Sequence, residues 1–146
     1  MSTQSLWSAN ALWAGPAIVA RLLDQVPELR QVLLLDEIDP KTNGPRQLPA
    51  AVVLLDRMAP NADAQRAQAL VQQDWMVALA VRSAATDADR NSAQIGPLIP
   101  RVVKALQGWI PAGQLRGLAW RPGMRPNYGR DLSYYPLVFS IQVVTA

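Results

Sequence analysis

The residues best suited to chemistry are carboxylates that follow a predicted strand. Asp36, Glu37 and Asp39 lie within four positions, directly after an apolar run. Side-chain oxygens at this spacing could hold a hard cation or act as general acids and bases, although acidic residues at the end of a strand are more often only solvated. A second pair, Asp87 and Asp89, lacks the glycine and the glutamate of a calcium-binding loop. We therefore expect no metal site in either segment.

The chain contains neither histidine nor cysteine. Their absence excludes Ser-His and Cys-His nucleophile pairs, thiolate metal sites and disulfide bonds. The glycine patterns of phosphate-binding loops that precede a helix are absent as well. The sequence therefore indicates a protein that is not an enzyme and needs no cofactor. A hydrolase or transferase that uses Asp36, Glu37 and Asp39 is the catalytic alternative that these residues leave open.

Basic residues are concentrated in one part of the chain. Between positions 101 and 130 the sequence holds six of them and no acidic residue, namely Arg101, Lys104, Arg116, Arg121, Arg125 and Arg130. Trp120 and Tyr128 lie among them. Guanidinium groups beside aromatic rings are typical of nucleic-acid surfaces and of protein interfaces, and a solvated face is the third interpretation. These residues alone do not distinguish between a nucleic-acid surface, a protein interface and a solvated face.

The length of 146 residues and a hydrophobic share of 50% predict one domain over residues 1–146, with residues 1–15 as a separate N-terminal helical turn in one interpretation. The formal net charge of +3 is only weakly basic. No basic segment precedes an apolar run at the N-terminus, and no apolar run approaches the ~20 residues of a membrane-spanning helix. We expect a soluble cytoplasmic protein with no membrane partner.

The spacing of apolar residues predicts two helices and five strands. The first helix begins at Pro16, a favoured first position, and ends before Pro27, while the second covers residues 94–109. The predicted strands are residues 29–38, 50–56, 74–83, 115–120 and 132–144. Residues 61–73 fit a helix by composition and a strand by position, and both interpretations stay open.

The order of these elements predicts the fold class. Strands that follow each other locally favour antiparallel pairing, so residues 29–38 and 50–56 are predicted to form an antiparallel hairpin around a projecting loop at 39–49. The fold class is α+β: a single domain with a mainly antiparallel, mixed sheet of about four to six strands and two helices packed on one face.

Four segments carry a family resemblance. They are Pro-Ala-Ala-Val-Val-Leu-Leu at 49–55, Gln-Asp-Trp-Met-Val at 73–77 with Ala-Val-Arg at 80–82, Ala-Leu-Gln-Gly-Trp-Ile-Pro at 105–111, and Leu-Ser-Tyr-Tyr-Pro-Leu-Val-Phe at 132–139. Their order and spacing, from residue 16 onward, resemble the tail terminator, or tail completion, proteins of long-tailed bacteriophages and prophages. The resemblance implies a structural virion protein of similar fold that brings no catalytic residues with it.

The resemblance further implies a homohexameric ring that caps the tail tube, ends its polymerisation and presents the surface for head attachment. The implied partners are copies of the same chain, the tail tube protein and head–tail connector proteins, with genomic DNA passing through the ring. The implied location is the virion tail, after assembly in the host bacterial cytoplasm.

Two loops are expected to make the contacts of this ring. We expect residues 39–49 and 121–131 to touch neighbouring subunits or the tube, since arginine and tyrosine are enriched in protein interfaces. The residues selected are Lys41, Asn43, Arg46, Arg121, Arg125, Tyr128 and Arg130. The alternative is a small DNA-binding module that uses the basic stretch from Arg101 to Arg130.

Overall fold

A computed structural model of the chain describes residues 6–37, 44–60, 70–83, 88–123, 125–128 and 131–145. The helices in this part of the chain are α1 (Leu6–Ala9), α2 (Ala14–Gln25), α3 (Ala88–Ile95) and α4 (Leu98–Leu106). The strands are β1 (Gln31–Leu34), β2 (Ala50–Pro60), β3 (Leu70–Arg82), β4 (Ala119–Arg121), β5 (Asn127–Tyr128) and β6 (Leu132–Val144).

The strands form one mixed sheet in the order β1-β2-β3-β6-β4, and β5 also pairs with β6. Its centre is the antiparallel pair β3 and β6, which runs from Leu70 opposite Val144 to Arg82 opposite Leu132. Strand β2 lies antiparallel to β3 on one side, and β4 lies antiparallel to β6 on the other. The predicted α+β class with a mainly antiparallel, mixed sheet is therefore confirmed.

The prediction of an antiparallel hairpin between the first two strands is wrong, because β1 and β2 pair in parallel, with Gln31 opposite Ala50. A parallel pair needs a connection of about a dozen residues or more to return to the same end of the sheet. The segment between β1 and β2 is long enough for that return. Its end is held beside the start of β1, since the side-chain Oε1 of Gln31 accepts the N–H groups of Arg46 at 2.8 Å and Gln47 at 3.2 Å.

Several element boundaries differ from the predicted ones. Strand β3 already includes residues 70–73, which settles the end of the ambiguous segment, while residues 61–69 lie outside the described part. The second predicted helix is two helices, because Gly96 and Pro97 separate α3 from α4. Pro100 falls in the first turn of α4, where its missing N–H costs no helical hydrogen bond.

The hydrophobic core lies between the two longer helices and one face of the sheet. Ile18 and Leu22 of α2 and Val102 and Leu106 of α4 are fully buried or nearly so. They belong to one cluster with alternate residues of the central strands, namely Trp75, Val77, Leu79, Val81, Leu137, Phe139, Ile141 and Val143. This placement confirms the prediction of two helices on one face, and alternate residues of β3 and β6 face the core.

The opposite face of the sheet carries a second, smaller cluster of buried residues. Ala50, Val52, Ala78 and Ala80 are buried there with Met76 and Tyr134. Burial raises the pKa of the Tyr134 hydroxyl, and no hydrogen-bond partner for that hydroxyl occurs within the described residues. The partly buried leucines packed against this cluster are Leu33, Leu35, Leu48, Leu54 and Leu132.

A buried glutamine ties the N-terminal segment to the sheet. Gln73 of β3 is fully buried, and its Nε2 donates to the carbonyl of Ala11 at 2.8 Å. Its Oε1 accepts the indole N–H of Trp75 at 2.9 Å. The Trp75 ring in turn lies against Gly15, where an added Cβ would stand 2.8 Å from two ring carbons. The start of α2 therefore packs on β3 at a distance that only glycine permits.

Candidate interaction surfaces

The predicted interface residues that the structure describes lie at opposite edges of the sheet. Arg46 lies just before β2 and is held beside edge strand β1 through Gln31. Arg121 ends β4, the last strand of the order on the other side, and Arg125 is exposed in the segment between β4 and β5. The backbone of Tyr128 is part of β5, while Lys41, Asn43 and Arg130 lie outside the described residues.

The described basic residues of the stretch from 101 to 130 lie on several different elements. Arg101 lies on α4 and forms an ion pair with Glu28, and Lys104 lies in the last turn of the same helix. Arg116 belongs to the turn that follows α4, and Arg121 lies across the sheet on β4. The basic residues that are consecutive in the sequence are therefore spread over a helix, a connecting segment and an edge strand.

The edge at β4 combines an aromatic ring with a positive charge. Trp120 is 47% exposed, and all three residues of β4 are exposed to solvent. Within the described residues β4 pairs only with β6, so its outer edge is unpaired. Exposed tryptophan and arginine are enriched among the residues that dominate binding at protein interfaces. This edge is therefore well suited to contact another protein.

A polar network fixes Arg121 at this edge. Its Nε donates to Ser140 Oγ at 3.2 Å, and Ser140 Oγ donates to a carboxylate oxygen of Asp74. The same oxygen accepts the side-chain N–H of Gln72 at 3.1 Å. These residues line a groove of about 370 Å³ together with Asp56 and the Pro122–Gly123 segment. The network gives the exposed Arg121 a hydrogen bond to the sheet.

A basic pocket lies at the end of the sheet where β1 and β2 begin and β3 ends. Arg30, Arg46 and Arg82 line this cavity of about 490 Å³, together with Gln47, Leu48, Pro49, Val81 and Gln94. No carboxylate is among these lining residues. Sequence reasoning missed the pocket because the three arginines are far apart in the chain and meet only through the parallel pairing of β1 with β2.

Exposed apolar side chains gather at the other end of the sheet. They are Leu6, Leu12, Met58, Ile110 and Leu115, each between 40% and 76% exposed. Contacts place them at one end: a Cβ on Gly113 would lie 3.7 Å from Leu6, and Gln73, at the start of β3, contacts both Ala11 and Met58. A concentration of apolar surface of this kind is typical of a protein contact.

The described residues contain no group of three or more acidic side chains that could hold a metal ion. Asp36 and Glu37 are exposed just beyond β1, and Asp39 lies outside the described part. No helix among the described residues is long and apolar enough to span a membrane.

Comparisons with known proteins identify the family. The family model described as "Phage tail terminator protein" matches residues 8–146. A search of curated proteins finds no match. Among solved structures, a chain of the "Virion of native gene transfer agent (GTA) particle" is similar, with 20% sequence identity, a TM-score of 0.46, and coverage of 96% of this chain and 95% of that chain. Since the family model spans nearly the whole sequence, the chain belongs to the phage tail terminator protein family, a family of structural proteins of the virion tail.

Proposed function

We propose that the protein forms a ring that caps the phage tail tube, ends tube polymerisation and provides the surface to which the head is joined. The observation that carries this proposal is the family match over residues 8–146. The ring is a homohexamer whose further partners are the tail tube protein and the head–tail connector proteins. Genomic DNA passes through it, and it is assembled in the host cytoplasm before it becomes part of the virion tail.

The two edges of the sheet support this proposal. A closed ring needs a heterologous interface, in which one patch of a subunit meets a different patch of the next. One edge, at β1, has Arg46 and the exposed carboxylate of Asp36 nearby, and the other edge has Trp120, Arg121 and Arg125. The patches differ in composition and lie on opposite sides of one sheet, so contact between them favours a head-to-tail arrangement.

We assign residues 39–49 and 121–131 to the contacts between subunits or with the tube. The second of these segments includes the unpaired edge of β4 and the groove in which Asp74, through Ser140, orients Arg121. A guanidinium that is already held in place loses less conformational entropy on binding than a free one. Arg121 is therefore the residue of this segment best prepared for a contact.

Replacing Arg121, Arg125 and Tyr128 together with alanine is expected to reduce ring assembly and tail attachment about tenfold or more, because arginine and tyrosine contribute strongly at interface centres. Assembly is measured by solution mass, and attachment by counting joined particles in electron micrographs. The control replaces Lys104 and Arg116, which are exposed elsewhere, with alanine. Normal assembly and attachment by the triple variant, with an unchanged melting temperature, would show that this segment is not an interface.

A further inference from the structure

The basic pocket is built from three separate parts of the chain. Arg30 precedes β1, Arg46 precedes β2, and Arg82 ends β3. Because β1 and β2 are parallel while β3 runs antiparallel to β2, these three positions arrive at the same end of the sheet. The geometry points to a site in which three exposed arginines line one cavity.

The backbone around each arginine is held by hydrogen bonds. The N–H of Arg30 donates to the carbonyl of Pro49 at 2.7 Å, and the N–H of Arg46 donates to Gln31 Oε1 at 2.8 Å. The carbonyl of Arg82 accepts the side-chain N–H of Gln94 at 3.2 Å. The backbone positions from which these three exposed side chains extend are therefore held, which limits the loop ordering that binding requires.

The positive charge of the pocket is not balanced within the described residues. Among the described residues the ion pair joins Arg101 to Glu28, two positions before Arg30, and no contact between a carboxylate and a pocket arginine is found there. Asp131 is near, since its backbone carbonyl accepts the N–H of Ser83, but its carboxylate does not line the cavity. Three neighbouring cations repel one another, so an anion in the cavity would relieve that repulsion.

The chemistry of the pocket selects a phosphate group. Each guanidinium presents parallel N–H donors that match two oxygens of a phosphate, and three of them complement a doubly charged group better than a single carboxylate. Gln47 and Gln94 add amide donors, while Leu48, Pro49 and Val81 give an apolar wall. A cavity of about 490 Å³ has room for a phosphate together with the group that carries it.

We propose that Arg30, Arg46 and Arg82 bind a phosphate group, which is either free or carried by a nucleotide or nucleic acid. All of its residues belong to one copy of the chain, and residues 46–49 of the site lie in a segment assigned above to ring or tube contacts. Arg46, which the sequence suggested as an interface residue, acts in this site as a phosphate ligand.

Titration calorimetry of the purified full chain with sodium pyrophosphate tests the proposal, with acetate and chloride compared at the same ionic strength. Pyrophosphate should bind, and acetate should not. The double variant Arg46→Gln/Arg82→Gln should bind about tenfold more weakly or worse, since charge-assisted hydrogen bonds to each guanidinium are lost. The affinity of Arg82→Lys for pyrophosphate should lie between those of the unaltered protein and the double variant, because lysine keeps the charge and loses the two-pronged geometry.

Arg116→Gln is the matched control, since this arginine is exposed at the opposite end of the sheet and should leave binding unchanged. Binding of acetate as strong as that of pyrophosphate would overturn the assignment to phosphate. Undiminished binding by a double variant with a native melting temperature would overturn the assignment to these residues.

A short DNA duplex distinguishes the two sources of phosphate. Binding to the duplex that weakens with salt, with a slope reduced by about one for each arginine removed, identifies a nucleic-acid backbone. Pyrophosphate binding without duplex binding identifies a free phosphate or a nucleotide as the ligand. Either of these two results supports the assignment of the pocket as a phosphate site. These measurements use the protein by itself, so their outcome does not depend on ring assembly on a tail tube.

Discussion

Replacing Phe139 with alanine is expected to lower the free energy of unfolding by about 3–5 kcal/mol. Phe139 lies on central strand β6, is fully buried, and packs in the cluster that joins the sheet to α2 and α4. Removing its ring leaves a cavity at the centre of the core, where strands β3 and β4 on both sides prevent collapse. Urea denaturation followed by circular dichroism measures this loss.

Trp120 provides a matched control for this change. It lies directly opposite Phe139 on β4, but 47% of its surface is exposed. Because the alanine variant removes an aromatic ring that water already reaches, we expect a loss of only about 1 kcal/mol. Equal losses for the two variants would contradict the placement of the core between helices and sheet.

Replacing Gly117 with alanine is expected to cost about 3 kcal/mol of stability, at the upper end for an overpacked site. An added Cβ would stand 2.5 Å from the carbonyl oxygen of Gly108 and 2.8 Å from its Cα. The backbone cannot yield easily, because the Gly108 N–H donates to the Leu118 carbonyl at 2.8 Å and the Leu118 N–H donates to the Trp109 carbonyl at 2.9 Å.

Gly117→Ala should also disturb a contact between α2 and the segment that follows α4. The guanidinium of Arg21 on α2 lies 5.2 Å from the centre of the Trp109 ring, so a shift of the 108–118 segment changes that contact. Thermal unfolding of Gly117→Ala measures the effect. Leu115→Ala, in the same segment and 76% exposed, is the control and should change stability by about 0.5 kcal/mol or less. A native melting temperature for Gly117→Ala would show that the two segments do not touch.

Local patterns predicted the core of this fold well. The alternation of apolar residues in β3 and β6 and the helical spacing around Leu98, Val102 and Leu106 depend only on neighbours in the sequence. The family resemblance also has a structural basis in one segment. Gly108 has a positive φ of 78° at the end of α4, and Trp109 then packs against the core, so the Gly-Trp pair marks the end of the helix layer.

Long-range features could not be predicted in this way. The parallel pairing of β1 with β2 brings the end of their connection beside the start of β1, where Gln31 Oε1 accepts two backbone N–H groups. Single-sequence periodicity carries no information on that contact. The basic pocket follows from the same pairing, since Arg30, Arg46 and Arg82 come together only in the parallel arrangement.

The positions of the predicted interface residues show the same limit of sequence patterns. Residue type alone selected Arg121 and Arg125, and the structure places both near the exposed β4 edge. Residue type could not show that Arg46 lies on the other side of the sheet, or that Asp74 and Ser140 hold Arg121 in place. Nor could it separate Arg101, which pairs with Glu28 on the helix side, from the arginines of the edge.

The central claim is that this chain forms a ring at the end of a tail tube. The most direct test is the solution mass of the protein over a range of concentrations, with and without purified tail tubes, followed by electron microscopy of the tube ends. The proposed function predicts that a hexamer occupies the tube end and that tubes capped in this way no longer lengthen when more tube protein is added. A chain that keeps the mass of a monomer at every concentration with tubes present, while the tubes continue to grow, would contradict it.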